Sequence, residues 1–343
     1  MRVARVMAPN VMRLDDAAMP VPGFGEALVR ITAVGICGSD LQYYAQGRIG
    51  ELEFGAGHIL GHEAAGMVEA LGPGTDWPPP GTAVAVDPAI PCGWCRFCVA
   101  GDPNFCERLQ FFGSPPCNGA LQQYVTHPGR LLLPVPVEWS PGATAVLEPL
   151  GVAIHAVDLG HLAVGDSVAV FGCGPIGVMI ARVAQLAGAR VVCAAEPLPH
   201  RRAAAKRFGA SVSLDPAVHD VVREIKGHTD GYGVDVAFEA AGSESATVQA
   251  IQALRPGGTL VLLGYWKQDQ VAIPGITAMR KGLTVRFVRR MKNTFERAID
   301  LARRGLVDVA SLVTHEFSLE QAAEAFVRAV QRGPDILKAV IRM

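Results

Sequence analysis

Short apolar runs separated by turn signals characterise the first 150 residues of the chain. The segments ALVRITAVGI, AAGMVEALG and TAVAVDPAI are rich in β-branched residues or alternate between apolar and polar positions, and Gly and Pro recur between them. Runs of this length that are bounded by Gly and Pro are typical of β-strands. The pattern therefore predicts a compact β structure in the N-terminal part.

The pattern changes at about residue 151, where predicted strands begin to alternate with predicted helices. SVAVFG predicts a buried strand, and PIGVMIARVAQLAGA carries apolar residues at the 3.6-residue spacing of a helix. The alternation continues through VVCAA, HRRAAAKRFGA, VDVAFEAAG and GTLVLLG. Such an order predicts a parallel sheet with helices on both faces. The C-terminal part predicts helices near 293–304 and 319–332 and the strand ILKAVIRM.

A glycine-rich turn lies between the first strand and the first helix of this alternating region. Gly172, Gly174 and Gly177 form the pattern G-x-G-x-x-G, which is informative because a predicted strand precedes it and a predicted helix follows it. In that context the glycines permit a tight turn, a close approach of the backbone to a pyrophosphate, and close packing of helix on strand. The segment predicts a dinucleotide site that comprises Gly172, Gly174, Pro175, Ile176 and Gly177.

An acidic residue follows the second strand of this region, where dinucleotide-binding folds place one to bind the adenine ribose. Glu196 comes directly after VVCAA, and its carboxylate would accept hydrogen bonds from the ribose and repel a 2′-phosphate. NAD is therefore predicted rather than NADP. Arg201 is also a predicted cofactor-binding residue, and with Arg202 it weighs against this preference, because an arginine can receive a 2′-phosphate. The alternative is a glycine-rich turn in another kind of sheet protein, with Glu196 solvated.

Four cysteines stand close together in the N-terminal half, at the spacing C-x2-C-x2-C-x7-C. Four thiolates can close a tetrahedral shell around one Zn2+, and an all-cysteine shell leaves no position open for substrate. A structural zinc lobe is therefore predicted at about 90–108, with the ligands Cys92, Cys95, Cys98 and Cys106. Two disulfides or an accidental grouping are the alternatives, but this spacing is typical of zinc sites.

Composition and charge limit the classes of function. The 343 residues are half hydrophobic and only 18% charged, which favours a large core over long disorder. With a formal net charge of -1 and no run of Lys and Arg, neither nucleic acid nor a membrane is expected as a partner. The N-terminal segment lacks the apolar stretch of a secretory signal, and no apolar run approaches about 18 residues, so a cytoplasmic location is expected.

A second, reactive metal would need three protein ligands and an open position. Candidates are Cys37 in GICGSD, His62 and Glu63 in LGHEAAG, and Glu148 in VLEPLG. These residues are far apart in the sequence, so spacing alone does not identify the site. On the residues alone, an ordinary core cysteine and histidine are the more common interpretation.

Several motifs in this order resemble the zinc-dependent medium-chain dehydrogenases/reductases: GHE, the four-cysteine segment, and GCGPIG followed by an acidic strand end. The resemblance covers essentially the whole chain. CGSDLQYYAQGRIG, FFGSPPCNGAL and LEPLGVAIHA are similar to the polyol branch of this family, the sorbitol and xylitol dehydrogenases. The resemblance implies a zinc enzyme that transfers a hydride from a secondary alcohol, of polyol or sugar-like kind, to NAD and forms a ketone.

The resemblance also implies a set of metal ligands. Cys37 and His62 match the residues that bind the catalytic zinc of the family. Glu63 and Glu148 match two carboxylates of the polyol enzymes, one or the other of which approaches the metal directly or through water. Two Zn2+ per chain are therefore expected, one catalytic and one structural.

Further roles follow from the resemblance around these ligands. Ser39 matches the hydroxyl that passes on the substrate proton, and Asp40 matches the carboxylate that orients the zinc-binding histidine. Glu63 is expected to act in catalysis as well as at the metal, since it sets the charge there. Tyr43 and Phe111 match positions of the substrate pocket.

Two departures from the family put the substrate in question. Gln42 stands where the family often has a histidine that completes a proton path to water, and an amide does not titrate. In FVRRMKNTF, Arg289 or Arg290 matches the arginine of an Arg-Tyr pair near the pocket, but the tyrosine is replaced by Arg or Met. A second cation there would suit an anionic substrate, and a solvated surface arginine is the alternative.

The fold expected from the resemblance is α/β with two domains. Residues 1–151 and 287–343 would form a GroES-like β-barrel catalytic domain, and 152–286 a doubly wound Rossmann NAD-binding domain, with the active site in the cleft between them. GTLVLLGYW and VAIPG lie where the family joins its cofactor-domain sheets edge to edge. A homodimer or homotetramer is therefore expected.

Two alternatives in function stay open at this stage. The substrate alternatives are threonine, a cyclitol, a sugar acid or phosphate, or a simple alcohol. The alternative of a different class is a non-catalytic NAD-binding redox sensor, in which the segment Cys92–Cys106 is a thiol switch.

Overall fold

The computed structural model describes residues 1–266, 270–331, 333 and 335–343. The chain divides into two compact units, of which the first comprises Met1–Glu148 and Phe295–Met343, and the second comprises Pro149–Thr294. The assignment of these parts as catalytic and cofactor domains stays a prediction.

Short strands dominate the N-terminal part of the first unit, as the alternating pattern predicts. The strands are β1 (Arg2–Ala8), β2 (Val11–Asp16), β3 (Glu26–Gly35), β4 (Arg48–Ile49), β5 (Leu52–Glu53), β6 (Glu63–Leu71), β7 (Ala83–Val86), β8 (Ala89–Ile90), β9 (Gln110–Phe111), β10 (Tyr124–Pro128) and β11 (Leu132–Pro134). The helices are α1 (Gly38–Gln46), α2 (Arg96–Val99) and α3 (Pro141–Ala145), with short 3-10 helices at Pro103–Phe105 and Gly129–Leu131.

Strands alternate with helices in the second unit, which confirms the predicted order of elements. The strands are β12 (Ser167–Phe171), β13 (Val191–Ala195), β14 (Val212–Leu214), β15 (Val234–Glu239), β16 (Leu254–Leu262) and β17 (Thr284–Phe287). The helices are α4 (Leu147–Gly160), α5 (Pro175–Leu186), α6 (Pro199–Arg207), α7 (Val221–Gly227), α8 (Glu244–Ala253) and α9 (Gly275–Lys281).

The C-terminal segment returns to the first unit. Its elements are α10 (Phe295–Arg303), a 3-10 helix (Ala310–Leu312), β18 (Val313–Ser318), a second 3-10 helix (Leu319–Gln321), α11 (Ala322–Val330) and β19 (Lys338–Arg342). The helix predicted near 319–332 therefore begins as a 3-10 turn, and its last position, residue 332, lies outside the described residues.

A seven-stranded sheet forms the framework of the first unit. Its order is β11-β7-β6-β3-β19-β18, and β10 pairs with β3. The C-terminal strand β19 runs antiparallel to the end of β3, with Val340 opposite Gly35. The start of β6 lies on the other side, with Glu63 also opposite Gly35. This register brings the start of β19 and the start of β6 to the end of β3, immediately before Cys37.

Close backbone packing holds the segment that leads into β6. Gly119 lies so near this segment that a Cβ on it would collide with the carbonyl oxygens of Leu60 and Gly61. The N–H of Gly119 donates to the carbonyl oxygen of Ile59 over 2.6 Å, and Gly61 has a left-handed φ of +95° that favours glycine. The backbone immediately before His62 is therefore fixed.

The second unit contains a fully parallel six-stranded sheet in the order β14-β13-β12-β15-β16-β17. The chain moves outward from β12 to β13 and β14 and then returns to the other side of β12 as β15. Ligands of such sheets bind outside the carboxyl ends of the strands where the order reverses. This point lies between β12 and β15, and the glycine-rich turn follows β12.

One helical stretch among the described residues, Pro141–Gly160, is long and apolar enough to cross a membrane. In its most apolar window, 83% of the residues are buried inside the protein. The core helix of a folded domain passes the same test, so this stretch is weak evidence for a membrane span.

A buried histidine connects β10 with the end of β7. His127 is 0% exposed, and its Nε2–H donates to the carbonyl oxygen of Asp87 over 2.8 Å. Among the residues that the structure describes, its Nδ1 has no hydrogen-bond partner. Burial lowers the pKa of His127 to about 4, and the charge of Arg130 acts in the same direction against the hydrogen bond to Asp87. The folded protein therefore keeps this imidazole neutral.

We expect His127 to make the stability depend on pH between about 6.5 and 4. The unfolded chain binds a proton here below about pH 6.5, whereas the folded protein does so only near pH 4, so the free energy of unfolding falls on acidification by up to about 3 kcal/mol. His127→Gln keeps a donor for Asp87 and removes this dependence. Urea unfolding at pH 7 and pH 5 should show that the wild type loses more stability than the variant.

The control for this measurement is His228→Gln, which removes an exposed histidine. Its stability should follow the wild type at both pH values. Equal losses in the wild type and in His127→Gln would contradict the account of His127.

Candidate metal and cofactor sites

The carboxylate of Asp40 contacts both of the segments that carry Cys37 and His62. Cys37 comes directly before α1 in an extended conformation (φ -91°, ψ 158°), and its N–H donates to Asp40 Oδ2 over 3.0 Å. Asp40 Oδ1 accepts the N–H of Gly61 over 3.2 Å and lies 3.4 Å from His62 Nδ1. A single carboxylate in the first turn of α1 thus fixes both candidate ligands.

The ionisable groups around Asp40 influence one another because they are buried. Burial by itself would raise the pKa of Asp40, but the charge of His62 and the hydrogen bonds from His62, Cys37 and Gly61 bring it below its ordinary value. Burial would lower the pKa of His62, but Asp40 and Cys37 raise it well above its ordinary value. The surroundings of His62 are therefore anionic and favour a cation.

Glu63 and Lys338 form a buried ion pair between β6 and β19. The exposed fractions of the Lys338 and Glu63 side chains are 3% and 1%, and Lys338 Nζ contacts Glu63 Oε2. The same Nζ donates to the carbonyl oxygen of Ile36 over 2.9 Å. Burial would lower the pKa of Lys338, but Glu63 and Cys37 raise it above its ordinary value. Gly35 leaves the space for the pair, because a Cβ there would collide with both side chains.

Three of the four predicted catalytic-zinc ligands come together. A sulfur of Cys37, a ring nitrogen of His62 and a carboxylate oxygen of Glu63 all lie within 4.8 Å of one another. Glu148, in the first turn of α4, is not a member of this group of three. Burial raises the pKa of Glu148 to about 7, while the charge of His62 lowers it and that of Glu63 raises it. Glu148 is thus near enough to interact with these groups, and the Cys–His–carboxylate set fits zinc.

Three further predicted residues lie near this group. Ser39 is half-buried in the first turn of α1, and Tyr43, one turn later, is 4% exposed with its hydroxyl 3.3 Å from Ser114 Oγ. Phe111 lies beside His62, with 5.3 Å between the ring centroids. Phe111 therefore provides an apolar wall next to one of the three metal donors.

The four sulfur atoms of the predicted structural lobe lie within 4.8 Å of one another. The Sγ of Cys98 is 3.5 Å from that of Cys95 and 3.9 Å from that of Cys92. Zn–S bonds of about 2.3 Å in a tetrahedral site place the sulfurs about 3.8 Å apart. The cysteines are free and not joined as disulfides. The spacing of the sulfurs therefore fits a tetrahedral metal.

Backbone N–H groups point at the sulfurs of this lobe. The N–H of Cys92 donates to Cys106 Sγ over 3.3 Å, and that of Cys95 donates to Cys92 Sγ over 3.4 Å. Hydrogen bonds from the N–H groups of Cys98 and Glu107 lower the pKa of Cys95 to about 6, whereas burial and the neighbouring thiols raise the pKa of Cys98 to about 12. Full deprotonation of all four cysteines therefore needs a cation, which zinc would supply.

The glycine-rich turn joins β12 to α5. Gly172 has a left-handed φ of 91°, and a Cβ on Gly177 would collide with the Gly172 carbonyl oxygen. Gly174 precedes the helix, and Pro175 and Ile176 lie in its first turn, where a proline costs no hydrogen bond. The turn therefore presents a helix N-terminus to a ligand, which suits a pyrophosphate.

Glu196 lies directly after β13, beside the glycine-rich turn. It is 4% exposed, and its Oε2 accepts the N–H of Cys173 over 2.7 Å while its Oε1 accepts the N–H of Leu198 over 3.0 Å. Arg202 donates to the carbonyl oxygen of Glu196 over 2.8 Å and forms an ion pair of 3.0 Å with Asp215. Arg202 is therefore engaged with groups of the protein itself.

The other predicted arginines also belong to the second unit. Arg201 stands beside the glycine-rich turn, since a Cβ on Gly174 would lie 3.7 Å from Arg201 Nη1. Arg289 is exposed, and Arg290 is half-buried with a left-handed φ of 58°. A left-handed conformation is uncommon for a residue with a side chain, so the chain turns sharply at Arg290.

Two contact residues of the first unit were missed in the sequence analysis. Lys338 pairs with Glu63, and the signal for it was a lone lysine in the otherwise apolar strand ILKAVIRM, because a buried ammonium needs a partner. Ser114 gave no such signal. Its proximity to Tyr43 depends on the path of the chain between β9 and β10.

Comparisons with known protein families match both parts of the chain. The family described as an alcohol dehydrogenase GroES-like domain matches residues 23–137, and the family described as zinc-binding dehydrogenase matches residues 175–304. Together with the parallel sheet of the second unit, these matches confirm the predicted fold class, a GroES-like domain with a Rossmann domain.

Individual relatives agree with the family matches. Sorbitol dehydrogenase of Bacillus subtilis is 36% identical over 97% of this chain and 95% of its own length. An oxidoreductase/dehydrogenase of unknown specificity from Escherichia coli has a solved structure with a TM-score of 0.94, 31% identity, and coverage of 99% of this chain and 98% of its own. A structure described as a zinc-binding dehydrogenase from Sinorhizobium meliloti, bound to NADP, has a TM-score of 0.90 and is 29% identical. The match covers 100% of this chain and 99% of that one. The predicted affinity to the polyol branch is confirmed by the sorbitol dehydrogenase.

We expect Lys338→Met to destabilise the protein through Glu63. Removal of the ammonium leaves a buried carboxylate without its partner, and breaking a buried ion pair on one side costs about 3–5 kcal/mol. The free energy of unfolding in urea should fall by about that amount. The double variant Lys338→Met with Glu63→Gln removes the orphaned charge and should recover most of the loss. If the single variant were as stable as the wild type, the ion pair would have no role in stability.

Proposed function

The chain belongs to the zinc-binding alcohol dehydrogenases with a GroES-like domain, and from this premise we propose that it oxidises a secondary alcohol to a ketone with NAD as the hydride acceptor. The substrate is a polyol or a sugar-like compound, in keeping with the similarity to a sorbitol dehydrogenase. The observation that carries the proposal is the buried group of Cys37, His62 and Glu63, which Asp40 holds in place.

The catalytic zinc belongs to Cys37 and His62, with a carboxylate of Glu63 or Glu148 as the further ligand. Lys338 contacts Oε2 of Glu63, so this carboxylate is already paired with a cation of the protein. When bound, zinc supplies a Lewis acid that lowers the pKa of the substrate hydroxyl. The anionic surroundings of His62 support this assignment.

The remaining residues orient the ligands and move the proton. Asp40 lies on the Nδ1 side of His62 and keeps the proton there, which leaves Nε2 as the metal-binding nitrogen. Ser39, in the same turn of α1 as Asp40, takes the substrate proton and passes it on. Tyr43 and Phe111 contact the substrate chain.

A second zinc belongs to Cys92, Cys95, Cys98 and Cys106. The distances between their sulfurs and the N–H groups directed at them support a closed tetrahedral site. Such a site has no position for substrate, so its role is to hold the lobe together.

NAD is the preferred cofactor. Glu196 is ordered by two backbone N–H groups beside the glycine-rich turn, where its negative charge disfavours a 2′-phosphate. Arg202, which would otherwise be a candidate to receive that phosphate, is engaged with Asp215 and the backbone. Arg201 remains beside the turn and contacts the cofactor.

The protein assembles as a homodimer or homotetramer. β17 is an edge strand of the parallel sheet, and Val285 and Phe287 on it are 38% and 67% exposed. An unpaired strand with exposed apolar side chains is suited to pair with the same strand of a second copy.

The test is the initial rate of NAD reduction, at measured zinc content, over a panel of polyols, sugar phosphates, sugar acids, threonine and simple alcohols. We expect the highest kcat/KM for a polyol, a lower value with NADP than with NAD, and loss of turnover on removal of zinc by a chelator. A preference for an anionic substrate would overturn the substrate class and leave the reaction class intact. No rate with any alcohol, at two zinc ions per chain, would contradict the proposed function as a whole.

A further inference from the structure

Glu239 ends β15 at the point where the order of the parallel sheet reverses. In the register of the two strands it lies opposite Phe171, the last residue of β12, and Gly172 follows Phe171 directly. Ligands of parallel sheets bind outside the carboxyl ends of the strands at such a point. Glu239 thus stands beside the glycine-rich turn, on the β15 side.

The carboxylate of Glu239 organises the loop that follows it, residues 240–243. Glu239 is 0% exposed, and its Oε1 accepts the N–H groups of Ala241, Gly242 and Ser243 over 3.0, 2.8 and 3.4 Å. Within the described part of the chain, its Oε2 has no hydrogen-bond partner. Burial raises the pKa of Glu239 to about 7, although the three N–H groups oppose this. Burial of this carboxyl group costs free energy. Its presence here, with three hydrogen bonds to the loop, therefore indicates that the shape of the loop matters.

The loop 240–243 is packed between the glycine-rich turn and the chain that follows β16. A Cβ on Gly172 would lie 2.7 Å from the nitrogen of Ala241, and a Cβ on Gly264 would collide with the backbone of Gly242. The backbones approach each other this closely only because glycine has no side chain. The shape of the loop and the position of Gly172 therefore depend on each other.

In a dinucleotide bound at this edge of the sheet, the positions of the adenine ribose and the pyrophosphate determine the direction in which the nicotinamide half extends. Glu196, after β13, is placed for the adenine ribose, and the turn after β12 is placed for the pyrophosphate. Because β15 lies on the opposite side of β12 from β13, the remaining half extends over the ends of β15 and β16. The loop 240–243 and Gly264 occupy that place.

We propose that Glu239 is a positioning residue for the nicotinamide half of the cofactor, because it holds the loop 240–243 in the shape that receives this half. The inference rests on the proposed dinucleotide-dependent function. Glu239 acts through the backbone of the loop and does not touch the reacting atoms. What the loop needs from it is an oxygen that accepts three N–H groups, and a neutral amide at the same position provides one as well.

Equilibrium binding of NADH and of ADP-ribose, which lacks the nicotinamide, separates the two halves of the site. For Glu239→Ala we expect the Kd for NADH to rise about tenfold or more, because the loop must be ordered on binding, and the Kd for ADP-ribose to change by less than about twofold. Glu239→Gln should bind both ligands like the wild type. This rescue distinguishes positioning of the loop from a need for the charge.

The matched control is Glu196→Gln, which alters the carboxylate after the neighbouring strand and should weaken both NADH and ADP-ribose. If Glu239→Ala does not fold, Gly264→Ala provides a second test of the loop, because its added Cβ collides with the backbone of Gly242 and with Glu239 Oε2 and so disturbs both the loop and the carboxylate that holds it. Equal losses for the two ligands, or unchanged affinity for NADH, would overturn the inference. A wild-type protein that binds neither ligand would instead overturn the proposed function.

Discussion

Buried charge is the constraint on which the first unit depends. Cys37, Asp40, His62, Glu63 and Lys338 lie together inside a sheet framework, and a charge in such a place is stable only if it is paired. Lys338 balances Glu63, and Asp40 is held by His62 and by backbone N–H groups. With a neutral His62 and a thiolate at Cys37, which zinc binding requires, the group carries about two negative charges in excess. A divalent cation balances them.

The second unit uses buried carboxylates in a different way. The strands β13 and β15 flank β12. Glu196 directly follows β13, and Glu239 is the last residue of β15. Each carboxylate accepts backbone N–H groups of the loops around the glycine-rich turn. The hydrogen bonds from these N–H groups stabilise the carboxylates inside the protein. The edge of a parallel sheet is thereby shaped before any ligand binds, which reduces the entropy that binding costs.

The sequence predicts the features that depend on local patterns, and it does not predict those that depend on the path of the chain. The strand–helix order of the second unit, the glycine-rich turn and the cysteine lobe follow from spacing, because each is built within a short segment. The pairing of Lys338 with Glu63 joins residues at opposite ends of the chain through the register of β19 on β3. Glu239 was not singled out from the sequence, since its three hydrogen bonds are a property of the folded loop. The Cys37, His62 and Glu63 group was suggested by family resemblance and not by spacing.

A zinc ion at the buried group of Cys37 and His62 is the feature on which the proposed chemistry depends most. The most direct measurement is X-ray diffraction from crystals of the zinc-loaded protein on both sides of the zinc absorption edge. We expect two anomalous peaks per chain, one bonded to Cys37 and His62 and one among the four cysteines of the lobe, with Lys338 still paired with Glu63. A single peak in the cysteine lobe, at full zinc occupancy there, would contradict this expectation.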